Sequence, residues 1–138
     1  ISLGDPMKAL YISTAIIEEM STFSCQIEHS EIDDSIERAF NTLERLTHAE
    51  LTDEQHSKLL DALLSLSYHP ALQDEWGRLR AIELAIGIIR NEQERTRVVF
   101  ALDKMQQAKP LLSHKKALRV QQLKQTLITK LSLTAGHL

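Results

Sequence analysis

TDEQHSKLLDALLSLSYHP, residues 52–70, decides the fold. Thr52 offers a hydroxyl to cap a helix, and Gln55 stands three residues on, where its amide can reach back to the cap's own N–H. Leu59, Leu60, Leu63, Leu64 and Leu66 follow as a broad apolar arc, the pattern of a helix that lies centrally. Pro70 stops it, because its ring removes a donor and clashes with the preceding turn.

The same grammar recurs on both sides. Upstream, Asp5 is placed to cap a helix with Pro6 at its first position, where a missing N–H costs nothing. That helix runs to about Phe23, with Met7, Leu10, Tyr11, Ile17 and Met20 along one side. Ser30 and Asp33 then start a second, carrying Ile32, Ile36, Phe40, Leu43 and Leu46. Downstream, Leu72, Trp76, Leu79, Ile82, Ile86 and Ile89 keep three-and-four spacing, which favours a fourth helix opening at Pro70 over one opening at Asp74.

The polar run RNEQERTR breaks this helix from a fifth, with Asn91 and Glu94 as a further capping box before Val98, Val99, Leu102 and Met105. Lys109-Pro110 ends the fifth, Ser113 caps the sixth, which extends to about Leu133, and the tail TAGHL is expected to fray. Tyr68 ends the third helix, as a capping contact or as part of a recognition edge.

The expected fold is therefore all-α. About six antiparallel helices form a bundle or a short stack of hairpins, with a pair of helices every ~40 residues as in HEAT or armadillo arrays. No repeated residue signature accompanies that period. With 138 residues the chain reads as one domain, residues 1–138, and the missing initiator Met suggests a piece of a larger protein. One cysteine, Cys25, cannot form an internal disulfide, and no apolar run approaches the ~20 residues of a membrane span, so the expected compartment is the cytoplasm.

The net charge of −3 hides a segregation. Residues 1–75 hold 15 Asp or Glu against 4 Lys or Arg, whereas residues 76–138 hold 12 Lys or Arg against 4 acids. Within the basic half, residues 109–131 carry six Lys or Arg and no acid. Three readings follow. The two halves neutralise each other on folding; the basic half meets an acidic protein, or copies dock head to tail; or the sixth helix lies on nucleic acid or an anionic membrane. On a helical wheel Lys115, Arg119 and Lys130 form a stripe beside the apolar arc, while Lys124 falls inside it and either snorkels to water or meets a partner's acid. No aromatic residue follows Phe100, so the stripe lacks the stacking platforms of single-strand binders and the anchors of interfacial helices.

No catalytic constellation is visible. The four glycines stand far apart, and Gly87 inside a helix suggests close packing. Cys25 and His29 lack an orienting third group. Asp53 and His56 read as first-turn dipole chemistry rather than half of a metal site, and Trp76 reads as core. No cofactor or metal is expected. The function expected from the sequence is non-catalytic protein binding by an adaptor or regulatory domain, with Arg78, Arg80, Lys115, Lys116, Arg119, Lys124 and Lys130 as cations facing an acidic partner.

Overall fold

The computed structural model describes residues 5–22, 29–68, 75–107 and 112–136, with side chains for residues 5–19, 34–68, 77–107 and 112–129. Among the described residues the chain is all-α. Its helices are α1 (Pro6–Thr22), α2 (His29–Thr47), α3 (Asp53–Ser67), α4 (Glu75–Gly87), α5 (Glu92–Gln107) and α6 (His114–Gly136).

The caps explain where several of these begin. At α3 the Gln55 N–H donates to Thr52 Oγ1 at 3.2 Å and the Thr52 N–H donates to Gln55 Oε1 at 3.0 Å, a complete capping box worth about 1 kcal/mol. At α1 the Met7 N–H donates to Asp5 Oδ1 at 3.0 Å. At α5 only half of the expected box forms. The Glu94 N–H donates to Asn91 Oδ1 at 2.9 Å, but the Glu94 carboxylate accepts from the Arg90 N–H, one residue before the cap.

Two boundaries differ from expectation. α2 begins at His29, so Ser30 lies within it rather than before it. The described part of α4 begins at Glu75; Pro70 and Asp74, its two expected openings, lie outside the described residues. α6 continues through residues 134–136, which had been expected to fray. Gly87 is also corrected: it is the last residue of α4, and nothing lies within 4 Å of where a Cβ would stand, so close packing does not explain it.

One cluster of buried side chains draws on all six helices. α3 is central to it, with Leu59, Leu60, Leu63, Leu64 and Leu66 all buried, each such burial stabilising by about 1.5–3 kcal/mol. Leu10 and Ile17 of α1, Phe40, Leu43 and Leu46 of α2, and Val98, Leu102 and Met105 of α5 take their expected inward places. Tyr11 does not; it is exposed. The side chains of Met20, Ile32, Leu72, Trp76 and Leu131 lie outside the described residues.

Contacts between helices fall most heavily on α1 with α2, α3 with α4, and α5 with α6. These pairs join in two series, α1–α3–α5 and α2–α4–α6, with α4 also touching α5. Side chains one helix pair apart therefore meet. Asp53 pairs with Arg90, His56 with Glu94 and Asp61 with Arg97, at sequence separations of 37, 38 and 36, in the same order along α3 and along the segment that leads into and through α5.

Candidate functional site

The cations singled out by charge do not form one surface. Arg78 is 1% exposed and cannot steer a partner, which corrects that expectation. Its place on α4 explains this: three, four and seven residues on stand Ala81, Ile82 and Ala85, all buried, so Arg78 shares their inward stripe. Arg80 is held against α2, with Nη1 3.2 Å from Glu37 Oε2 and Nη2 donating to Asn41 Oδ1 at 2.9 Å and lying 3.6 Å from Glu44 Oε2. Its guanidinium also lies 5.3 Å from the Phe40 ring centroid.

The α6 cations divide. Arg119 Nε lies 3.6 Å from Glu83 Oε1 on α4, and Lys124 pairs with Asp103 on α5. Lys124 thus meets an acid, but one of its own chain. Its side chain is 22% exposed, as suits a stem that lies partly covered while its ammonium reaches an acid at the surface. Lys115 and Lys116 have no ion pair among the described residues. The Lys130 side chain lies outside them.

The segregated charge is therefore largely a pairing of early helices with later ones. The acids of α2 and α3 face arginines of α4, of α5 and of the connection between them, leaving a short unopposed basic run at the start of α6. A further pairing of opposite sense is buried, His56 of α3 with Glu94 of α5, with Nε2 3.2 Å from Oε2. Burial by itself would push the Glu94 carboxyl up. The Arg90 backbone N–H at 2.9 Å, the His56 ring and the Arg90 guanidinium at 3.5 Å outweigh it and hold the group below the usual glutamate value. Asp53, read from sequence as partner to His56 in a first turn, instead reaches Arg90 at 3.1 Å.

What charge did not reveal is an aromatic face on the α1–α3–α5 side. Phe100 is 60% exposed although its neighbours Val98, Ala101 and Leu102 are buried, because it lies off their stripe. Beside it is Tyr68, the C-cap residue of α3, half-buried against the core. Between α3 and α5 opens a cleft of about 480 Å³ lined by Asp61, Leu64, Tyr68, Arg97, Phe100 and Ala101 among others. A second cleft, of about 360 Å³ between α1 and α3, shares Asp61 and Ser65 with it and is bordered by the exposed Tyr11. Lys58, above its ordinary value through Glu54 at 3.4 Å and Tyr11, borders this second cleft. The signal for Phe100 was present in sequence: it stands two residues after Val98 and two before Leu102, opposite the apolar spacing of α5.

Among the described residues no three His, Cys, Asp or Glu gather where they could hold a metal ion, and no helix is long and apolar enough to cross a membrane. Cys25 lies outside the described residues, as does the side chain of His29. Compared with known proteins, the chain matches no family model, no curated protein and no solved structure.

Proposed function

We propose that this chain is a non-catalytic protein-binding module, an adaptor or regulatory domain of the cytoplasm, which takes a partner segment on its α1–α3–α5 face. The observation that carries the reading is Phe100, a large apolar ring 60% exposed at the mouth of a cleft that continues toward a second one. Exposed aromatic side chains beside concave, partly apolar surface are the material of interface anchors. The architecture supports it too. Pairing at separations of 36 to 38 residues, and contact series that join odd helices with odd and even with even, fit three antiparallel hairpins stacked in register. Such stacks present a continuous face built from alternate helices.

The rival, phosphate binding through α6, loses support where Arg119 and Lys124 are engaged with Glu83 and Asp103. It retains only Lys115 and Lys116 among the described side chains. Peptides selected from a displayed random library, and an oligonucleotide of random sequence, separate the two. On the proposed reading the selected peptides lose binding with Phe100→Ser and keep it when Lys115 and Lys116 become Glu. Selected peptides indifferent to Phe100, together with oligonucleotide binding that survives near-physiological salt and needs Lys115 and Lys116, would reverse the assignment.

A further inference from the structure

We propose that the α3–α5 cleft selects an acidic segment, one that brings an Asp or Glu carboxylate to Lys104 and sets a bulky apolar side chain beside it against Leu64, Phe100 and Ala101. This deepens, and rests on, the reading of the chain as a protein-binding module.

The register between α3 and α5 carries the argument. Asp53 faces Arg90, just before α5, and Asp61 faces Arg97 on α5, so the cations along this side each find an acid about one helix pair earlier. At the next such step α5 offers Lys104, and what lies opposite it is Tyr68, the C-cap residue of α3. The ladder of ion pairs ends there on an aromatic ring. Lys104 Nζ lies 4.9 Å from the Tyr68 ring centroid and 4.9 Å from that of Phe100. Ring faces attract an ammonium but leave its three N–H donors without a strong acceptor. Among the described residues no carboxylate pairs with Lys104. Asp103, its immediate neighbour, is turned to Lys124 of α6.

The cleft lining holds the already neutral Asp61–Arg97 pair, and Lys104 adds a positive charge, unpaired among the described residues, at its rim, over the Tyr68 and Phe100 rings. The two rings flank the ammonium, so an arriving carboxylate meets a donor already placed beside apolar surface. An apolar side chain next to that carboxylate finds Leu64 and Ala101 at the floor and Phe100 at the wall. A basic segment would bring like charge to Lys104 and is selected against.

The test uses two fluorescein-labelled pools of twelve-residue peptides, one with positions drawn from Glu, Leu, Phe and Gly, the other with Gln in place of Glu. Fluorescence anisotropy reads binding to the 138-residue chain and its variants. The Glu pool is expected to bind about fivefold tighter than the Gln pool, and to lose about tenfold on Lys104→Glu. Lys104→Met, which keeps the stem between the rings and removes the charge, is expected to equalise the two pools. Circular dichroism and thermal melts verify that both variants fold. Equal affinities for the two pools in the unaltered protein, both lost with Phe100→Ser, would overturn the acidic selectivity while leaving the docking face intact. Binding of the Glu pool that ignores both Lys104→Met and Phe100→Ser would overturn the cleft as its site. Failure of the Glu pool to bind at all would overturn the inference outright.

Discussion

His56 Nε2 lies 3.2 Å from Glu94 Oε2, joining the first turn of α3 to the first turn of α5 across 38 residues of chain. Glu94 also accepts from the Arg90 backbone N–H, so one carboxylate ends one connection, opens one helix and fastens another. Replacing it with Gln keeps the size and one acceptor but removes the charge that offsets burial. Glu94→Gln is expected to cost about 1–3 kcal/mol in urea unfolding at neutral pH.

Its acid limb follows from the direction of the Glu94 shift. The folded carboxyl lies below the ordinary value of 4.5, so below that pH the unfolded chain takes up the proton first, and stability falls as pH drops. The stabilisation is fully present above that value and disappears as pH falls through the folded one. The difference between the unaltered protein and Glu94→Gln is therefore expected to shrink as pH falls below about 4.5. A difference independent of pH down to pH 3 would show that the charge contributes nothing.

Gly87 ends α4 with open space where a side chain would stand. Alanine there meets no neighbour and lowers the entropy of the unfolded chain. Gly87→Ala is expected to stabilise by about 0.4–1 kcal/mol, read as a raised melting temperature with unchanged peptide binding. A loss of stability would mean that the residue is needed for how α4 ends.

Lys115 and Lys116 occupy the first turn of α6, where the helix dipole presents its positive end. Ser113 precedes them, its carbonyl accepting from the Ala117 N–H at 2.8 Å. Changing either lysine to Glu exchanges an unfavourable charge for a favourable one. Each is expected to raise stability by roughly 0.3–1 kcal/mol at low salt, with the gain fading as salt is added. Destabilisation by both changes would point to a contact these lysines make that charge alone does not explain.

The helices were legible because their signals are local. A cap at Thr52, a Pro at position 6 and the leucine arc of α3 each act within one or two turns, and chain neighbours suffice to read them. Partners were not legible, because they lie on different helices, most of them 36 or more residues apart. The opposed charges of the two halves were plain, but nothing in their order said that Arg80 would meet Glu37 and Glu44, or that Lys124 would meet Asp103. Arg78 and Phe100 are a different case. Both could have been placed by extending the apolar spacing of their own helices, which puts the arginine on the buried stripe and the aromatic off it. Reading residue type before position gave Arg78 the wrong role and left Phe100 without one.

The most direct measurement is a ¹H–¹⁵N correlation spectrum of the chain titrated with the tightest peptide from the random library. Shifts concentrated at Asp61, Ser65, Tyr68, Thr96, Arg97, Phe100 and Lys104, absent in Phe100→Ser, are the expected result. Shifts confined to α6 around Lys115, Lys116 and Arg119, with the α3–α5 cleft unmoved, would contradict the account and make the basic helix the binding surface.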